Sequence, residues 1–151
     1  MNPIYSIVAD AASVGEGGEL TFTVTRTDST TAEDVSYTLG GSATAGLDYT
    51  DPLAGTVSFA ANETSKTITI ATTADALIEG AETVNVMLGT PSGSGTINPA
   101  QASASGTIDD TTTNVYSIAD ASSVGEGGTL TFTVMRTASG VAEDVSYTLS
   151  G

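Results

Sequence analysis

Hydrophobic and polar residues alternate with a period of two along most of residues 5–109. Alternation of this kind predicts half-buried β-strands. The seven alternating runs are YSIVA (5–9), LTFTVTR (20–26), DVSYTLG (34–40), TVSFA (56–60), KTITIAT (66–72), TVNVMLG (83–89) and ASGTID (104–109). Gly, Pro, Asn and Asp separate the runs, and no segment sustains the 3.6-residue period of a helix. Seven short strands within about 105 residues predict an all-β fold, a seven-stranded immunoglobulin-like antiparallel β-sandwich.

The residues that face the core follow from the same alternation, because every second side chain of a strand points to the same face. The predicted core residues are Val14, Leu20, Phe22, Val24, Val35, Tyr37, Leu39, Val57, Phe59, Ile68, Ile70, Val84, Val86, Leu88 and Ile108. A set of this size is enough for one hydrophobic core of ordinary dimensions.

The chain contains an internal repeat. Residues 14–41 return as residues 124–151, offset by 110 positions, with 22 of 28 residues identical. A period of that length is a whole domain, because solenoid repeats are only 20–45 residues long. We therefore expect a complete module at 4–110, a short linker at 111–115, and the first three strands of a truncated second module at 116–151, all cut from a longer tandem array.

Charge and missing residue types exclude several functions. Eighteen acids face three bases, Arg26, Lys66 and Arg136, for a formal charge of −15. Nucleic acids and anionic membrane surfaces repel such a chain. Because the sequence has no His and no Cys, it has no His-based catalytic triad and no imidazole or thiolate zinc site. Without Trp there is no aromatic-lined sugar cleft for a carboxylate pair, and no run reaches the ~20 apolar residues of a membrane span. We predict a protein that is not an enzyme, binds no nucleic acid and does not insert into membranes.

The remaining acids are distributed unevenly over the predicted loops. Successive antiparallel strands place alternate loops at opposite ends of a sandwich. One end receives Glu16, Asp48, Asp51, Asp75, Glu79, Glu82, Asp109 and Asp110, and the other receives only Asp28, Glu33, Asp34 and Glu63. Two like charges 4 Å apart repel by about 4 kcal/mol at an effective dielectric constant near 20. The acids spread into solvent, some of them take up protons, or a cation neutralises them. Ca²⁺ suits them best, because it accepts 6–8 oxygen ligands from flexible loops.

The segment TADALIEGAET (73–83) carries three of these acids at spacings of four and three residues. Those spacings would align the acids on one face of a helix. The segment lies between two predicted strands and contains Gly80. We therefore predict a loop and not a helix. Arg26 and Arg136 end the second strand of each copy, where we expect a structural ion pair with a nearby acid.

The order of these motifs resembles the Calx-β domain family. The matching stretches are VGEGGELTFTVTR, GSATAGLDYTDPLAGTVSFAANETSKTITI, DALIEGAETVNVML and GTIDD. The resemblance implies a sandwich that binds Ca²⁺ in the loops at one end, with ligand roles for Glu16, Asp48, Asp75, Glu79, Glu82, Asp109 and Asp110. Carbonyl groups near Ile78 would add to them. Thr111 stands where well-occupied members often have a third acid, which implies fewer ions or weaker binding. In the second copy only Glu126 of the acidic set is present.

These observations predict a non-catalytic Ca²⁺-binding structural repeat. Its partners would be neighbouring repeats of the same chain, and its place a large secreted or surface-attached bacterial protein of the adhesin kind. The alternative is an interaction or assembly module in which the metal is incidental, with a homo-oligomer formed through the second copy. Intracellular Ca²⁺ regulation, as in exchangers, is disfavoured by the near-identical copies and the lack of a membrane segment.

Overall fold

A computed structural model of the chain describes residues 1–53 and 55–150. The strands are β1 (Ile4–Ala9), β2 (Ser13–Gly15), β3 (Glu19–Arg26), β4 (Glu33–Gly40), β5 (Thr56–Phe59), β6 (Ser65–Ala71), β7 (Glu82–Pro91), β8 (Thr96–Ile97), β9 (Ser103–Asp109), β10 (Tyr116–Ala119) and β11 (Thr133–Arg136). A single 3-10 turn covers Pro99–Gln101. No helix in the described part of the chain is long and apolar enough to cross a membrane.

The chain divides by its internal contacts into two units. The first consists of Met1–Ala74 and Gly80–Asp110, and it contains β1 to β9. The second consists of Asp75–Glu79 and the residues from Thr111 onward, and it contains β10 and β11.

The first unit is built from two sheets, with strand orders β6-β3-β1-β8 and β2-β9-β7-β4-β5. All seven predicted strands are present, and the predicted immunoglobulin-like sandwich is confirmed. The structure adds β2 and β8, which pair in parallel with β9 and β1 respectively. With three and two residues, these strands are too short to show an alternating pattern.

The core lies between the two sheets and consists of the predicted residues with few changes. Val14 and Leu39 are only partly buried. Tyr5, Ile7, Ala43 and Tyr49 belong to the core but were not in the predicted set, which left out the first strand and the connection after β4.

A buried polar cluster closes the end of the first unit that lies opposite the predicted Ca²⁺ ligands of the same unit. The carboxylate of Glu33 accepts hydrogen bonds at 2.9 Å from the Tyr5 hydroxyl and from the N–H groups of Gly93 and Gly95. The Tyr5 hydroxyl is buried and needs this acceptor, whereas Gly93 is exposed and Gly95 is only partly buried.

Arg26 lies at the same end, with its guanidinium 5.0 Å from the centre of the Phe59 ring. It donates to backbone carbonyls of Glu63, Thr31 and Ala60, each at 2.7 Å. The predicted ion pair of Arg26 with an acid is wrong, since no acidic side chain of the described residues lies within ion-pair distance of it. Carbonyl groups of two loops, residues 27–32 and 60–64, satisfy its donors instead.

In the second unit, β10 and β11 form an antiparallel pair that repeats the register of β1 and β3. Tyr116 faces Arg136 as Tyr5 faces Arg26. The predicted third strand of the second copy is not formed over residues 144–150. In the first unit the matching strand β4 pairs with β5 and β7, and nothing in the described part of the chain pairs in this way with residues 144–150.

Candidate metal centre

Backbone hydrogen bonds join the acid-bearing segments of the first unit at one end of the sandwich. The N–H of Glu16 donates to the carbonyl of Asp109 at 3.1 Å, which extends the parallel pairing of β2 with β9. The N–H of Thr73 donates to the carbonyl of Asp48 at 2.8 Å. Each bond links segments more than 20 residues apart, so the prediction that these loops meet at one end is confirmed for this unit.

Thr72 ties these two links together. It is buried, its N–H donates to the carbonyl of Gly18 at 2.8 Å, and its hydroxyl donates to the same oxygen at 2.9 Å. Because Gly18 follows Glu16 by two residues and Thr72 precedes Thr73, one connected network runs from Asp109 to Asp48.

The two remaining acids of the first unit flank this network. Glu82 is the first residue of β7 and lies opposite Ile108, one position before Asp109. Asp110 follows directly after β9. All five predicted ligands of the first unit are partly buried: Glu16, Asp48, Glu82, Asp109 and Asp110. Partial burial weakens the solvent screening of their charges.

Asp48 has a second, local role. One of its carboxylate oxygens accepts the N–H of Thr44 at 2.6 Å, and this bond closes the turn before Tyr49. Tyr49 is buried, and its burial together with the charges of Asp51 and Asp48 raises the pKa of the phenol. A negative field at this end of the unit is consistent with that direction.

The basic side chains of the first unit lie at the other end. Lys66 forms an ion pair of 2.8 Å with the carboxylate of Glu63, and Arg26 donates to the carbonyl of the same residue. These contacts of the two bases involve none of the five partly buried acids of the first unit. No three acids of the first unit, among the residues described, bring ligand atoms within 4.8 Å of one another.

The second unit holds the other two predicted ligands, Asp75 and Glu79. Both are exposed, and a carboxylate oxygen of each lies within 4.8 Å of the other. Two oxygens that bind one Ca²⁺ at 2.3–2.6 Å lie at most about 5 Å apart, so this pair is close enough to share an ion. Residues 73–81 form no helix, as predicted.

Contacts within the second unit hold the segment 75–79. The N–H of Leu77 donates to the Asp75 carboxylate at 2.7 Å and the Thr112 hydroxyl to the Asp75 carbonyl at 3.1 Å. The N–H of Ile78 donates to the carbonyl of Ser139 at 2.7 Å. Sequence analysis did not identify Ser139 as a neighbour of this segment, because it lies 61 positions further along the chain.

The donor chemistry of all seven side chains is the same: each offers carboxylate oxygens. Oxygen-only sets built from several loops suit Ca²⁺, whereas zinc and copper prefer sets that include nitrogen or sulfur ligands. The chain has neither His nor Cys to supply such ligands.

The sequence profile of the Calx-beta domain matches residues 3–112. Among solved structures, the chain is similar to the apo form of the Calx CBD1 domain, with a TM-score of 0.60 and 23% identity over 73% of this chain and 98% of that one. It is also similar to the calcium binding domain CBD12 of CALX1.1 (TM-score 0.57, 24% identity, 69% of this chain) and to CBD12 from CALX1.2 (0.59, 25%, 69%). It covers 44% of each CBD12 chain. A comparison with curated protein sequences gave no match.

Proposed function

Because the chain belongs to the Calx-beta domain family over residues 3–112, we propose that this module is a Ca²⁺-binding structural repeat without catalytic activity. The observation that carries the proposal is the network that joins the segments of Glu16, Asp48 and Asp109, although these segments are far apart in sequence. Such a network brings together segments that carry carboxylates. Their negative charges repel one another, and Ca²⁺ binding offsets that repulsion.

The proposed ligands are the seven acids of the sequence prediction: Glu16, Asp48, Asp75, Glu79, Glu82, Asp109 and Asp110. Support for Asp75 and Glu79 comes from the short separation of their oxygens. Support for the others comes from their positions on the connected segments of the first unit. Since Thr111 replaces a third acid after Asp110, we propose fewer ions than in members with the full acidic set.

The proposed role of the ion is mechanical. Asp109 and Asp110 directly precede the linker 111–115 that leads to the second copy. A cation shared between these two acids and the earlier loops fixes the start of the linker and stiffens an array of repeats. Repulsion between the acids loosens the same loops when Ca²⁺ is removed. The near-identical copies support a place in a secreted or surface-attached bacterial protein of the adhesin kind.

Crystals grown with Ca²⁺ test this proposal, because anomalous diffraction locates the ion without assumptions about its ligands. A peak in contact with the seven acids is the expected result.

The second candidate function is self-association through the second copy. Six exposed apolar side chains there line a groove of about 750 Å³: Ile118, Leu130, Phe132, Val134, Tyr147 and Leu149. In one form of association, residues 116–150 of one chain take the place of residues 5–40 of another. This exchange would bury the apolar side chains of the second copy and expose those of the first copy. Face-to-face pairing of two second copies buries both sets, so it is the form of association that the hydrophobic effect favours.

Light scattering over a concentration series tests the pairing. Val134 and Met135 are both 54% exposed, but only Val134 has a fully buried counterpart in the first copy, Val24. We expect the mass of the unmodified chain and of Met135→Asp to rise with concentration, while Val134→Asp stays monomeric. A monomer at all concentrations for the unmodified chain would contradict the pairing.

A further inference from the structure

The two copies of the repeat differ at positions that are not random. Six of the 28 aligned positions carry different residues, and three of them fall in one turn: Asp28 becomes Ala138, Thr30 becomes Gly140 and Thr31 becomes Val141. Every residue of the first copy that is buried between residues 20 and 37 is identical in the second. The fold of the repeat therefore does not explain why this turn changed.

Within the second unit, this turn contacts the segment 75–79. Leu77 and Ser139 form a parallel β-bridge. The N–H of Ile78 donates to the carbonyl of Ser139 at 2.7 Å, and the N–H of Ser139 donates to the carbonyl of Ala76 at 3.4 Å. The three residues between Asp75 and Glu79 are thus bound by main-chain contacts to residue 139.

Two of the three changed residues, Ala138 and Gly140, fit this contact. Gly140 has a φ of +110°, and a Cβ atom there would lie 2.6 Å from the Ile78 carbonyl oxygen. The threonine of the first copy would therefore clash with the segment. Ala138 is 6% exposed, so the aspartate of the first copy would bury a charge at this position, which is costly without a partner.

From this match we propose that the turn 137–141 positions the segment 75–79 for Ca²⁺, so that the beginning of one repeat sets the Ca²⁺ affinity of the repeat before it. The inference rests on the proposed function, because it assigns a purpose to Asp75 and Glu79. Ser139 and Gly140 act as positioning residues: they hold the backbone between the two acids and do not touch the ion. Ca²⁺ in turn stabilises the contact with Ser139, since coupling between two binding events is reciprocal.

A pair of glycine substitutions in the full chain tests the inference. Gly127 also lies in the second copy and has a positive φ, +79°, but a Cβ atom there meets nothing within 4 Å. Calorimetric titration with CaCl₂ should give Gly140→Ala an affinity at least about fivefold below that of the unmodified chain. Gly127→Ala carries a comparable backbone strain without the clash, and it should stay within about twofold.

Amide hydrogen exchange supplies a readout that general destabilisation does not reproduce. Ca²⁺ should slow exchange of the Ile78 N–H in the unmodified chain and in Gly127→Ala, and it should have little effect in Gly140→Ala. If Gly140→Ala does not fold, Ala138→Asp replaces it, with Met135→Thr as its control. Both substitutions restore the residue of the first copy, but only Ala138→Asp lies in the turn.

The outcomes separate the two proposals. If the unmodified chain binds no Ca²⁺ in the titration, the proposed function fails and the inference fails with it. If the chain binds Ca²⁺ and the turn variants bind as tightly as their controls, the inference alone is overturned. A selective loss of affinity in the turn variants supports both.

Discussion

Replacing Asp75 by asparagine and Glu79 by glutamine is expected to abolish the Ca²⁺-dependent rise in melting temperature. For the unmodified chain we expect a rise of several degrees between EDTA and millimolar Ca²⁺. An ion that binds only the folded state stabilises it by about 2.7 kcal/mol when its free concentration is 100 times the dissociation constant. The double substitution keeps the size and shape of the side chains and removes two charges that we assign to the ion.

The melting temperature in EDTA distinguishes loss of a ligand from damage to the fold. Removal of two neighbouring negative charges relieves repulsion, so the double variant should melt in EDTA at or above the temperature of the unmodified chain. Asp34→Asn combined with Glu126→Gln makes the same change in charge at residues outside the proposed site and should keep the Ca²⁺ response. A full Ca²⁺ response in the Asp75 and Glu79 variant would remove these residues from the site.

The second large effect is expected at Glu33, on the other end of the first unit. Glu33 is 6% exposed and accepts hydrogen bonds from the Tyr5 hydroxyl and from two backbone N–H groups. Alanine at this position leaves the buried Tyr5 hydroxyl without an acceptor, which costs about 1–3 kcal/mol. The N–H groups of Gly93 and Gly95 lose the same acceptor at a smaller cost, because Gly93 is exposed and Gly95 is only partly buried. Glu33→Ala should therefore lower the free energy of unfolding by about 2 kcal/mol or more, measured by urea denaturation.

The internal repeat provides the control for this substitution. Glu143 is the equivalent residue of the second copy, and it bonds the Tyr116 hydroxyl and the Asn114 amide but is exposed. Glu143→Ala should lower the free energy of unfolding much less than Glu33→Ala does, because water replaces the exposed carboxylate as acceptor. Equal losses from the two substitutions would show that burial of Glu33 is not the source of its effect.

The fold was predictable because its strands are half-buried, which imposes a period of two on the sequence. The residues missed from the core have a physical explanation. Ala43 and Tyr49 are buried in a connection between strands, where no alternation marks the buried side. The third strand of the second copy was predicted over residues 144–150, which are identical to residues 34–40 in six of seven positions. It is not formed because strand structure depends on partner strands as much as on local sequence.

The sequence predicted which loops form the candidate site, because the direction of each strand determines the end of the sandwich at which its loops lie. The alternating direction of successive strands predicted that the loops of Glu16, Asp48 and Asp109 meet, and backbone hydrogen bonds join them. Strand direction treats every loop acid alike, however. It does not distinguish Asp48, which closes its own turn, from an acid that offers both oxygens to an ion. It also gave no reason to examine Ser139 and Gly140, whose role depends on a contact between distant segments.

The position of bound Ca²⁺ in a crystal identifies its ligands. In a crystal structure of the full chain grown with millimolar Ca²⁺, we expect an anomalous peak with oxygen ligands at about 2.3–2.6 Å. Those ligands should be drawn from Glu16, Asp48, Asp75, Glu79, Glu82, Asp109 and Asp110. Ca²⁺ bound only elsewhere on the chain, or no ordered Ca²⁺ near these seven acids, would contradict the proposed function.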